Sequence, residues 1–523
     1  MLLTGCARRS WDRDPEPTGE TPPPTPVKFP NCVPKAIAID AQTQSPLVHL
    51  LRSIQRPGDV RIEHLEALGL HVIPDVPPCD LVPDNSYLPP TSWASMCVED
   101  ADDANISSMR PLSNGRVSPG LKTYVERVKE LSIPNPAAFR TVRRIPCPVG
   151  ETPVRLGNAY EFFKCLELLT GFWIDTSRPA ELNTEANIVD SGDSVPRHQR
   201  IYQRIGTGSQ MPPEYRSLLL ESLVKFVCYD FGCNVSYPRI EPRLYISSPS
   251  NTQSPTTLAT SSFPANHSMV YRTPTARASA RAGIVEGPLA ALCSRSTTNF
   301  STQQDSVLDL CREVASALIT AQQRAREFKE ERKLPKDIWW CHKPRWGGGP
   351  GGPIGREADK ADEVADVAAT SGGGADAGAD SSAPKPPSGS AKRSRKTMTL
   401  YDNYRMVRPP SSTWDRKAKY IAIGKPVGAD YDDIFLLSAL FHHISIVRVR
   451  VPMCLLEELE GQAAGPGRRK EPCIMWRSKW YDMFLVADRV EAMTCIWGMM
   501  AYLMRKLEDP SGAHKVGGMD ADS

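Results

Sequence analysis

The sequence predicts an α+β protein: a mixed, helix-rich composite core with a few short strands and long disordered loops. Three observations lead there. Apolar residues recur at helical spacing in several segments, short β-branched runs lie between them, and Pro, Gly and Ser concentrate in stretches that cannot pack. The 523 residues are enough for two or three domains of ordinary size. A composition of 40% hydrophobic and 24% charged residues is globular, slightly poor in apolar content because 48 prolines and 35 glycines are clustered locally.

Residues 1–34, with Pro22-Pro23-Pro24, read as a disordered Pro-rich N-terminus. An α+β core region over 35–346 is expected to begin at Ala36-Ile37-Ala38-Ile39. Short helices are predicted at Pro46–Gln55 and Ile62–Leu68, followed by a strand at His71-Val72-Ile73. Residues 74–117 read as loops. Ser118-Pro119 has the form of an N-cap and first-turn proline, opening a helix to Leu131. A further helix covers Asn158–Leu169, and 174–210 is polar and irregular. From Pro213 to Asp230 a helix sets Leu219, Leu223, Phe226 and Val227 on one face, with Gly232 as its stop. Leu244–Ser247 and Met269–Arg272 read as two strands of a hairpin around a Ser/Thr/Pro tip. A long helix from Asp305 to Lys333 carries Val307, Leu310, Cys311, Val314 and Leu318 at helical spacing.

Residues 347–397 form a Gly/Ala/Asp linker ending in a basic cluster. Beyond it, 398–508 is α+β again, with a strand at Tyr420–Ile423, a helix at Tyr431–Phe441, a strand at Ile444–Val451, a short helix at Pro452–Glu460 and a last helix from Asp488 to Leu507. Its strands are few and its apolar content high, which favours packing on the core over an independent domain. Residues 509–523 read as a disordered tail.

Several function classes are disfavoured. A net charge of +3 over 523 residues argues against nucleic acid as the partner. No window approaches 18 uninterrupted apolar residues, so no membrane span is expected. Met1-Leu2-Leu3-Thr4-Gly5-Cys6 has the look of a lipoprotein cleavage site but lacks the charged leader and apolar stretch one requires. The 14 cysteines include no Cys-x-x-Cys pair, and Cys165, Cys311 and Cys495 sit inside apolar helical patterns. That usage suits reduced, buried thiols of a protein in the nucleus or cytoplasm.

No catalytic residue, cofactor site or metal site is predicted. The run Gly347-Gly348-Gly349-Pro350-Gly351-Gly352 lacks the Lys-Ser/Thr pair of a phosphate loop, and its proline removes a donor. His442-His443 adjoin, but neighbours in a strand or helix point in different directions, so they read as a polar corner. Asp430-Tyr431-Asp432-Asp433 reads as a helix N-terminus where negative charge offsets the dipole. Two other groups stand out. Trp339, Trp340, Arg345 and Trp346 form a ligand or packing cluster: they could hold a ligand by cation–π contact, but packing is the commoner use of tryptophan. Lys392, Arg393, Arg395 and Lys396 form a basic cluster in an accessible tract, the form a nuclear import receptor reads.

The segments Gly157-Asn158-Ala159-Tyr160-Glu161-Phe162-Phe163, Lys343-Pro344-Arg345-Trp346-Gly347-Gly348-Gly349 and Trp480-Tyr481-Asp482-Met483-Phe484 resemble an uncharacterised conserved protein family of filamentous ascomycete fungi. The resemblance implies a fungal, intracellular protein and carries no activity or site. The combined expectation is a non-enzymatic interaction or regulatory protein of the nucleus or cytoplasm with a protein partner. The alternatives are an accessory enzyme or accessory protein of a specialised-metabolite pathway and, more weakly, nucleic-acid binding.

Overall fold

The computed structural model describes residues 25–35, 47–54, 57–96, 102–147, 150, 152–172, 208–237, 242–247, 260–265, 267–274, 276–295, 297–298, 300–327, 419–426, 428–461 and 471–507. Within these, the helices are α1 (Leu47–Ser53), α2 (Ile62–Ala67), α3 (Pro78–Leu81), α4 (Asp102–Ser108), α5 (Leu121–Leu131), α6 (Asn135–Arg143), α7 (Tyr160–Leu169), α8 (Pro213–Cys228), α9 (Arg277–Arg281), α10 (Gln303–Ala325), α11 (Met453–Leu459) and α12 (Val486–Leu503). The strands are β1 (Leu70–Ile73), β2 (Asn234–Ser236), β3 (Arg243–Ser247), β4 (Thr260–Pro264), β5 (Ser268–Arg272), β6 (Ile284–Ser294), β7 (Lys419–Ile421), β8 (Tyr431–Leu440), β9 (His443–Pro452), β10 (Cys473–Arg477) and β11 (Tyr481–Asp482).

The α+β class holds. Its centre is a mixed nine-stranded sheet in the order β1-β10-β9-β8-β6-β5-β2, with β11 added on β9 and β7 on β6. β6 and β8 run parallel, with Ala290 opposite Phe435 and Ser294 opposite Ala439. Strands from before residue 328 and after residue 418 therefore lie side by side in the same ladder.

Both faces of the sheet are covered. Along β8 the residues alternate, Ile434 and Leu436 joining the core beneath α1, α10 and α11, and Phe435, Leu437 and Ala439 joining the core beneath α7, α8 and α12. β9 follows suit, with Val447, Val449 and Val451 on the first side and Ile444 and Ile446 on the second. No helix among the described residues is long and apolar enough to cross a membrane.

Where the fold departs from the sequence reading, local physics explains it. Tyr431–Leu440 is a strand, not a helix. Buried on both faces, it has no polar alternation to betray a period of two, and a continuous apolar run does not separate strand from helix. The acidic residues at its start therefore cap no dipole. β3 pairs with β4 rather than β5, closing a two-stranded sheet of its own, while β5 joins the large sheet between β2 and β6. β6 was hidden by Gly287-Pro288, which reads as a turn; the strand accommodates the pair where its register with β5 shifts between Val270 and Arg272.

Helix ends are set by side chains. α10 begins earlier than Asp305 because Thr302 and Asp305 form a reciprocal cap, with Thr302 N–H donating to the carboxylate at 2.9 Å and Asp305 N–H to the hydroxyl at 3.1 Å. α5 starts at Leu121 rather than at Ser118, whose hydroxyl accepts instead from Arg110 N–H. Its free amides are met from α4, Leu121 N–H donating to Ser108 Oγ at 2.8 Å and Lys122 N–H to Asn105 Oδ1 at 3.0 Å. Gly232 follows α8 with φ +72°, as its role as a stop requires.

Residues 25–35, inside the span read as a disordered N-terminus, lie along the core: Lys28 N–H donates to Thr298 O at 2.9 Å and Cys32 is buried. Cys165, Cys311 and Cys495 are buried free thiols, and burial raises each of them, Cys165 to about 11. Ala36–Ile39 and the linker lie outside the described residues.

Candidate functional site

The richest polar chemistry gathers where β6 and β8 end and β9 begins. Directly after β6, Arg295 donates its backbone N–H to Ala439 O of β8 at 3.0 Å, and the residue is 2% exposed. Two carboxylates of α10, four residues apart and so on one face, receive it. Asp309 takes three hydrogen bonds, at 2.9 Å, 3.0 Å and 3.2 Å, and Glu313 takes another. Glu313 also accepts from Arg477 at the end of β10 and from Ser438 of β8, while Arg312 reaches Asp309 at 3.1 Å.

Burial by itself would raise the Glu313 carboxyl, but the charges of Arg477 and Arg295, with the Ser438 hydrogen bond, outweigh it and hold the group at about 2. Arg295 is raised: burial opposes its charge, and the two acids overcome that. Glu313 is thus a fixed anion, and each of the two carboxylates is embraced by two arginines.

A second ionic joint sits nearer the start of β8. Arg324 of α10 grips Asp432 with two hydrogen bonds, at 2.8 Å and 3.2 Å, and donates to Pro288 O and Ile423 O. Asp433 is held by Arg450 at 2.9 Å and 3.0 Å. The acidic run 430–433 therefore spends two of its carboxylates on strand-to-helix and strand-to-strand pairing.

Next to the first network, Trp480 lies under Arg295 and Arg477, at 5.4 Å and 5.5 Å from its ring centre. Phe29 stacks on Trp480 at 5.4 Å and meets His443 edge-on at 5.0 Å. The β8–β9 hairpin turns through Phe441 and His442, with Phe441 at φ +54°. A bulky residue there is an outlier, tolerated because the phenyl ring is buried.

That turn corrects the reading of His442-His443 as side chains pointing apart. Being in the turn and at the first strand position respectively, they bring their rings to 4.1 Å between centres. Asp482 of β11, paired opposite His443, completes the group. His442 Nε2 lies 3.6 Å and His443 Nε2 4.0 Å from its two carboxylate oxygens. Burial holds both imidazoles neutral, His442 well below its usual range and His443 at about 4. Asp482 is raised, chiefly by burial, against a hydrogen bond from Phe484 N–H.

No family model, no curated protein and no solved structure matches this chain.

Of the residues singled out in the sequence, Trp339, Trp340, Arg345 and Trp346, and Lys392, Arg393, Arg395 and Lys396, lie outside the described residues. His442 and His443 were seen but assigned the wrong geometry. Arg295, Asp309, Glu313 and Arg477 were missed. One signal was present: an acid pair at i, i+4 inside the otherwise apolar pattern of α10.

Proposed function

We propose that the chain is a non-enzymatic interaction or regulatory protein of the nucleus or cytoplasm, acting through a protein partner. The observation that supports this reading is the use of its buried acids. Glu313, Asp309, Asp432 and Asp433 each lie in arginine pairs that occupy their oxygens. A carboxylate near 2, capped by guanidiniums, takes no proton from a substrate at neutral pH. Such groups rigidify a scaffold rather than perform acid–base chemistry.

The basic cluster supplies the test of compartment. In a tagged protein, changing Lys392, Arg393 and Arg395 together to Ala is expected to shift the fluorescence from nucleus to cytoplasm. An unchanged distribution removes the import receptor from the reading. Affinity purification of the native protein should yield a reproducible protein partner; its absence would count against the whole proposal.

One observation favours the accessory-enzyme alternative, namely the neutral histidine pair beside Asp482. Metabolite profiling of a deletion strain separates the two, since an altered compound would favour the enzyme.

A further inference from the structure

We propose that His442, His443 and Asp482 form a mononuclear site for a divalent first-row transition ion. Two imidazoles and one carboxylate are an N,N,O donor set, which suits Zn²⁺, Fe²⁺ or Co²⁺ and not the all-oxygen shells of Ca²⁺ or Mg²⁺. The ligand atoms lie within 4.8 Å of one another, so one ion can reach all three. The separations of 3.6 Å and 4.0 Å are too long for hydrogen bonds. Donors about 2.0–2.1 Å from a shared ion stand roughly 3.0–3.5 Å apart, so binding closes separations that now reach up to 4.8 Å by about an ångström or more.

Burial makes the arrangement costly without a further partner. His442 is 1% exposed, and both imidazoles turn Nε2 towards the Asp482 carboxylate at distances beyond hydrogen bonding. The frame is rigid in advance. Phe441 holds its positive φ, Asp482 N–H donates to Asp488 at 2.9 Å, and Phe484 N–H donates to Asp482 Oδ1 at 2.9 Å. Asp488, paired with Lys479, lies close enough that its charge acts on both His443 and Asp482. Three protein ligands leave coordination positions for water or for a donor from a partner.

The test uses the full chain, stripped with a chelator and titrated with Co²⁺. One equivalent is expected to bind, with the visible bands of a nitrogen–oxygen shell, no thiolate-to-cobalt charge transfer, and displacement by Zn²⁺. His443→Ala and Asp482→Asn should each weaken binding more than about 100-fold, beyond the loss caused by removing an outer-sphere partner. Circular dichroism of the chelated variants checks that they fold. X-ray absorption of the zinc-loaded wild type needs no variant, and it should show imidazole scattering and no sulfur shell. Substoichiometric binding, a sulfur shell, or wild-type affinity in a folded His443→Ala protein would overturn the proposal.

Discussion

Replacing Glu313 by Ala is expected to destabilise the protein by about 3–5 kcal/mol, the cost of leaving buried charges uncompensated. The arithmetic of the site explains the size. Glu313 is fully buried and receives Arg295, Arg477 and Ser438, so its loss strands the Arg477 guanidinium and a hydroxyl and weakens the hold on Arg295. Arg295 would keep Asp309, whereas Arg477 loses a carboxylate that no other described acid is seen to replace. Chemical denaturation should show a lower midpoint with an unchanged slope. An effect below about 1 kcal/mol would mean that the network is solvated. The same carboxyl predicts an acid signature. Its folded value is depressed to about 2 from 4.5, so its stabilisation is complete above pH 4.5 and is lost as pH falls towards 2. Glu313→Ala should flatten that part of the stability–pH curve.

Arg324→Leu is the second large effect, again about 3–5 kcal/mol. Arg324 is buried, joins α10 to β8 through Asp432, and also satisfies the carbonyls of Pro288 and Ile423. Removing the cation leaves Asp432, at 3% exposure, as an unpaired buried anion. The double variant Arg324→Leu/Asp432→Leu should recover part of the loss, because deleting both partners removes the stranded charge. Recovery should be incomplete, since two backbone carbonyls remain without their donor. A double variant worse than the sum of the single changes would refute this account of the pair.

Both joints connect residues before 328 to residues after 418. Arg295, Asp309, Glu313 and Arg324 belong to the first stretch, and Asp432, Ser438 and Arg477 to the second. Such connections are invisible to a local reading of sequence. What was legible depended on periodicity. α8 and α10 kept apolar residues at helical spacing, and β9 showed Val447, Val449 and Val451 alternating with Arg448 and Arg450. β8 was not legible, because a strand covered on both faces loses its alternation. β10 follows a Gly/Arg-rich loop and is too short to stand out. The His442–His443–Asp482 group needed a tight turn at Phe441 and a strand pairing 40 residues away. Neither is written in the spacing of the ligands themselves.

The central claim is that two stretches of chain, joined through ion pairs whose carboxylates are thereby unavailable for chemistry, build one sheet. A specific protease site inserted between Thr370 and Ser371, cut after folding, tests it most directly. The account predicts that the two pieces co-elute as a 1:1 complex with an unchanged circular dichroism spectrum, and that Glu313→Ala lets them separate at lower denaturant. Two pieces that part without denaturant and each remain folded would contradict it.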